Sequence, residues 1–190
     1  MGPAINRRLR ALALALVLAC IVLPYAARAD DPREVPLVDQ NGAPFRLRDL
    51  AGTPTLLTFV ASRCTDACPI ANAAFFRLRE RFDRERKRVR LVTITLDPTF
   101  DTPFVMAGVA RRFSVDPRHW TFASGTPSDV RRVLGAFAIR TRAGKDGVPE
   151  AHGTFVYFLN KRVERTRTLL LSSALGDDAE RVIGVLDKRT

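Results

Sequence analysis

The chain opens on one long apolar run, and after it short apolar blocks alternate with amphipathic stretches. Residues 11–23, "ALALALVLACIVL", are apolar throughout. Later, "TLLTFVA" (55–61) and "VRLVTITL" (89–96) are near-continuous in apolar and β-branched residues, as strands buried on both faces read. Between them Phe75, Leu78 and Phe82 recur at helical spacing, which predicts a helix from about Cys68-Pro69 to about Lys87. Pro69 falls in its first turn, where a missing N–H costs nothing. Strand, helix and strand in this order indicate a parallel βαβ unit.

The flanks fill in the rest. "PLVD" and "PFRL" on either side of Asn41-Gly42 predict an N-terminal β-hairpin. "DTPFVMAGVARRF" (101–113) and "TPSDVRRVLGAFAI" (126–139) each place Thr-Pro at a helix start, with Thr102 as the cap of the first and Pro103 at its first position. "WTFA" (120–123) is a short strand. "RAGKDGVPEAH" (142–152) is expected to be a loop, while "GTFVYFLN" (153–160) and "VERTRTLLL" (163–171) form an antiparallel pair across Lys161-Arg162. A last helix from Asp177 is expected to bury Ala179, Val182, Ile183 and Leu186. The expected fold class is α/β, a central mixed sheet flanked by helices, with Cys64 and Cys68 at the carboxyl end of the first parallel strand. Open α/β sheets place their sites there.

The apolar run changes the domain picture. Arg7, Arg8 and Arg10 precede it, and "ARA" (27–29) offers the small residues of a signal-peptidase site. The expectation is a leader over 1–29, cleaved after Ala29, ahead of one domain over 30–190. Two alternatives are an uncleaved anchor, for which the run is short, and lipidation at Cys20. In each case the domain is exported, with a periplasmic location and the inner membrane as the place of any anchor.

Formal net charge is +11, and +7 remains for residues 30–190 once the four leader arginines are removed. The densest basic run, "RLRERFDRERKRVR" (77–90), interleaves Glu80, Asp83 and Glu85 and reads first as a solvated helix face. No nucleic-acid motif or stacking aromatics accompany it, which argues against nucleic-acid binding. A basic surface that steers towards acidic partners or anionic lipid is the other reading.

"SRCTDACPIA" (62–71) carries the chemistry. An exported thiol pair tends to oxidise unless metal or a reductant intervenes, and so short a bridge would stabilise little. The helix start and Arg63 are expected to favour thiolate. Three readings stay open: a redox dithiol, part of a metal site, or two buried thiols. Two thiolates with an imidazole form a soft set suited to copper, whereas structural zinc wants four protein ligands. Of the two histidines, His119 reads as a surface or edge residue and His152 as a loop residue at a strand start. Asp97 and Asp101 in "DPTFDTP" (97–103) read as turn and cap residues, or as partners held near the cysteines.

Together "CTDACP" (64–69), "DPTFDTP" (97–103) and "HGTFVYFLN" (152–160) resemble the Sco (SenC) family over nearly all of residues 34–189. That resemblance implies a thioredoxin-like fold, with copper, Cu(I) and also Cu(II), bound by Cys64, Cys68 and His152. It implies a metallochaperone more than an enzyme, serving the cytochrome c oxidase subunit with the Cu-A site or another copper enzyme, with a thioredoxin-like reductant as a further partner. The alternative is a thiol-disulfide oxidoreductase in which Cys64 attacks and Cys68 resolves. A peroxidase of the peroxiredoxin kind fits less well, because Ala61 stands where a Thr would be expected three residues before Cys64.

Overall fold

The computed structural model describes residues 31–65, 67–151, 154–171, 179 and 181. The strands are β1 (Leu37–Asp39), β2 (Pro44–Phe45), β3 (Thr55–Val60), β4 (Arg90–Thr95), β5 (Trp120–Ser124), β6 (Thr141–Ala143), β7 (Pro149–Ala151), β8 (Phe155–Leu159) and β9 (Arg165–Leu170). The helices are α1 (Ala67–Arg84), α2 (Pro103–Arg112) and α3 (Pro127–Ala136). Seven strands form one sheet in the order β2-β1-β5-β4-β3-β8-β9. β3, β4 and β5 run parallel, while β1 and β8 pair antiparallel on either side of them. This is the expected mixed sheet with its N-terminal hairpin.

The central strands are apolar on both faces because each face is covered. On one side α1 and α2 lay Phe75, Phe82 and Met106 against Trp120, Phe122 and Leu91. Trp120 is fully buried, and its indole N–H donates to Thr93 Oγ1 at 2.9 Å. On the other side α3 closes an aromatic cluster in which Phe137 lies 5.3 Å from Phe59 and 4.8 Å from Tyr157, both edge-on. The described strands and apolar layers lie within residues 35–179.

Helix starts follow the sequence closely. Thr102 Oγ1 accepts from Val105 N–H and Thr126 Oγ1 from Asp129 N–H, each with proline next in the first turn. α1 ends at Arg84 rather than about Lys87, and Arg86 follows in the left-handed region at φ 53°.

The segment 142–152 departs from the expected loop. β6 and β7 pair there as a small antiparallel ribbon around Lys145–Gly147, with Asp146 and Gly147 at φ 55° and 70°. β6 is exposed along its whole length, so neither alternation nor an apolar block marks it in the sequence. The expected last helix falls mostly outside the described residues; Ala179 and Arg181 are helical, and Ala179 is buried. The leader, 1–29, also lies outside them.

Because Thr93 provides the acceptor for a buried indole, Thr93→Val leaves volume unchanged but strands the Trp120 N–H. Urea unfolding should show a loss of about 1–3 kcal/mol, and a loss below about 0.5 kcal/mol would contradict this role.

Candidate metal centre

β3 delivers the chain to a turn over residues 61–65, and α1 begins at Ala67. Cys64 N–H donates to the Ala61 carbonyl at 3.0 Å, which folds the turn back on the strand end. Cys64 is half-buried; Cys68, inside the first turn of α1, is buried against Val60 and Ala71. They are not joined in a disulfide, and Cys64 packs against the small cluster that holds Cys68. The Ala61 N–H donates to Cys68 Sγ at 3.4 Å.

The expectation that the helix start favours thiolate is corrected at Cys68. Burial, then the hydrogen bond with Cys64, pushes its thiol up from 9.0 to about 12, against the opposing pull of the Ala61 N–H. Desolvation outweighs the one favourable backbone donor here. Arg63 is also less available than expected: its Nη2 holds Asp97 Oδ2 at 2.6 Å and its Nε the same oxygen at 3.2 Å, while its guanidinium lies 4.5 Å over the Phe100 ring.

The two carboxylates of "DPTFDTP" reach the turn before Cys64. Asp97 is buried and paired with Arg63. Asp101 is fully buried and receives the Ser62 N–H at 3.1 Å, the Ser62 hydroxyl, and the Thr95 hydroxyl at 2.6 Å. Thr95 Oγ1 accepts in turn from Asp97 N–H at 2.8 Å. Ser124 donates its hydroxyl to the Asp101 carbonyl. Ser62, Thr95 and Ser124 were not singled out from the sequence; the signal available was a carboxylate four residues past Asp97 at the end of a buried strand.

His152 lies outside the described residues, as does Asp66. Its flanks are described: Val156 pairs with Thr58, and Thr58 Oγ1 donates to the Phe155 carbonyl at 2.9 Å. β8 therefore starts beside the carboxyl end of β3, the end that carries Cys64. Among the described residues no group of three or more His, Cys, Asp and Glu side chains is arranged to hold a metal ion. The described donors at the turn are the two soft sulfurs, one half-open and one buried, which fit a soft, low-coordinate ion better than zinc. His119 is exposed, with Nδ1 3.6 Å from Asp83, and stands at the opposite end of the sheet before β5.

A family model described as SCO1/SenC matches residues 28–186. A protein of Stutzerimonas stutzeri named for copper binding is 36% identical over 111 residues, 52% of this chain and 54% of that protein. The chain thus spans about half the length of this relative. A SCO1/SenC family lipoprotein from Bacillus anthracis str. Ames matches with a TM-score of 0.74 at 21% identity, covering 80% of this chain and 92% of the other. ScoI of Bradyrhizobium japonicum, solved with copper bound, matches with a TM-score of 0.66 at 24% identity, covering 80% and 96%. The fold is the thioredoxin-like one of these structures.

Two outcomes follow from the geometry. Asp101→Ala leaves three donors facing a buried gap, so urea unfolding should show a loss of about 2–5 kcal/mol; a loss under about 1 kcal/mol would contradict the arrangement. In the metal-free reduced protein the unfolded chain ionises its Cys68 thiol first as pH rises, because the folded pKa is the higher one. Folding stability relative to Cys68→Ala should therefore fall between pH 9.0 and about 12, and a flat difference across that window would refute the raised value.

Proposed function

The chain belongs to the SCO1/SenC family, and from that premise we propose that it binds copper through Cys64, Cys68 and His152 and passes it to a copper enzyme. The observation that carries the reading is the pair of cysteines brought together at the start of α1, Cys64 packed against the cluster that holds Cys68. Copper is cargo here, so the site must both hold and release it. Cys68, buried against Val60, keeps one sulfur fixed, while Cys64 on the half-exposed turn is the donor a recipient can reach. Binding requires both thiols to give up protons, and a raised Cys68 pKa makes release easier as protons return.

Asp97 and Asp101 act behind the donors. Asp101 fixes Ser62 and Asp97 fixes Arg63, so the two residues before Cys64 are held and the sulfur is aimed without a carboxylate touching the ion. The recipient we infer is the cytochrome c oxidase subunit with the Cu-A site, or another copper enzyme. We place the domain outside the cytoplasm, periplasmic, with the leader removed or kept as an anchor.

A second reading rests on the contact between the thiols. Joining Cys64 Sγ to Cys68 Sγ releases two electrons and two protons, which a partner disulfide can accept on becoming a dithiol. In that case the chain is a thiol-disulfide oxidoreductase and His152 is dispensable.

A copper(I) titration of the reduced chain from Asp30 separates the two, followed by thiolate-to-copper charge transfer. We expect one ion per chain, with affinity falling by more than about 100-fold in His152→Ala and by about 10–100-fold in Asp97→Asn. Weak uptake in the wild type, with disulfide exchange unchanged in His152→Ala, would sink the copper reading in favour of the second.

A further inference from the structure

The end of the sheet away from the cysteines carries a feature that copper handling leaves unused. The exit of α1 and the starts of β4 and β5 enclose a cleft of about 540 Å³. Arg86, Lys87, Arg88, Arg90, Arg118 and His119 line it, with Asp83 the single carboxylate of the lining and buried Phe82 and Val89 beneath.

Some of this charge is balanced locally. Lys87 meets Glu85 at 2.8 Å, Arg118 meets Asp116 at 2.7 Å, and Asp83 stands 3.1 Å from Arg79 and 3.6 Å from His119. Arg86 and Arg88 are exposed and make no ion pair among the described residues. Arg90 is half-buried: its Nη2 donates to Thr121 Oγ1 at 3.3 Å, while its buried Nε has no hydrogen-bond partner among the described residues. Burial also lowers the Arg90 pKa from its ordinary value, so an anion beside it would offset a desolvation cost already incurred.

A helix end of this polarity ordinarily disfavours anions. Here its last carbonyls are closed from within, since Lys87 N–H donates to the Phe82 carbonyl at 2.9 Å and Arg86 N–H to the Asp83 carbonyl at 3.2 Å. Arg86 occupies a left-handed position that glycine fills most easily, so a guanidinium is kept at the cleft against a backbone preference.

The position of the cleft bears on what it meets. Thr55 pairs with Arg90 and with Leu159, and Arg33 Nη1 reaches the Arg162 carbonyl at 3.5 Å. The Arg33 side chain, near the start of the described residues, thus reaches the end of the sheet that carries the cleft, although β1 itself enters the sheet from the cysteine end. With the apolar run 11–23 kept as an anchor, only the short linker 24–30 separates this domain from a membrane surface.

We propose that this cleft binds phosphate groups, and that the phosphates it takes are headgroups of anionic phospholipid. Forked guanidinium donors from the α1 exit, β4 and the loop before β5 suit the oxygens of a phosphate. The proposal is independent of copper binding.

The test uses the chain from Asp30, which holds all described strands and both apolar layers. It is floated with vesicles of phosphatidylcholine alone or with phosphatidylglycerol, and titrated in parallel with inorganic phosphate and pyrophosphate. We expect capture by phosphatidylglycerol vesicles only, weakening with added salt. Arg86→Gln with Arg88→Gln should weaken capture about 30-fold, given the usual contribution of one cation near an anionic surface. Arg131→Gln with Arg140→Gln, on and after α3 across the sheet, should leave it within about twofold. Arg90→Gln, checked for an unchanged circular dichroism spectrum, should weaken both arms. Phosphate binding without vesicle capture would overturn the lipid source, and no binding in either arm, or equal loss in both double variants, would overturn the site. Copper uptake by the Arg86→Gln, Arg88→Gln protein should match the wild type, which keeps this outcome separate from that of the metal centre.

Discussion

The carboxyl end of the sheet depends on one buried carboxylate. Asp101 has no contact with solvent, and a charge there is tolerable only because three donors converge on it. Those donors come from two strand ends, Ser62 past β3 and Thr95 at the end of β4, and the Asp101 carbonyl takes a third tie from Ser124 at the end of β5. The turn that carries Cys64 is thus held by the same residue that leads into the Thr102 cap of α2. Local structure, packing and the reactive pair share one anchoring point.

Around that anchor the two cysteines are made unequal. They are four residues apart, yet one lies against Val60 and Ala71 in the interior and the other on a half-exposed turn. Burial raises the Cys68 thiol more than the Ala61 N–H lowers it. An ion or a second sulfur brought to this pair meets a fixed inner donor and an accessible outer one, an asymmetry that suits transfer better than permanent retention.

Much of this was legible in the sequence, for identifiable reasons. β3 and β4 are buried on both faces, so their composition alone marks them, and the Thr-Pro starts of α2 and α3 are local signals that tertiary structure did not override. β6 and β7 were not legible, because three-residue strands carry no periodicity, β6 is exposed throughout, and the pair depends on a turn at Asp146-Gly147. The cysteine pair and the two aspartates stood out by spacing. Their surroundings did not: the Cys68 shift comes from depth, and the occupation of Arg63 by Asp97 comes from a contact 34 positions away. Ser62 and Thr95 have no mark in the sequence apart from Asp101, whose need for donors becomes visible only once it is known to be buried.

The strand register has a further consequence. Residues 62–68 and the cleft around Arg90 sit at opposite ends of the same parallel strands, separated by the six-residue length of β3 and β4. No described hydrogen-bond network runs from one to the other. Substitution can therefore remodel either end while leaving the other intact, so the basic cleft and the cysteine turn can diverge independently.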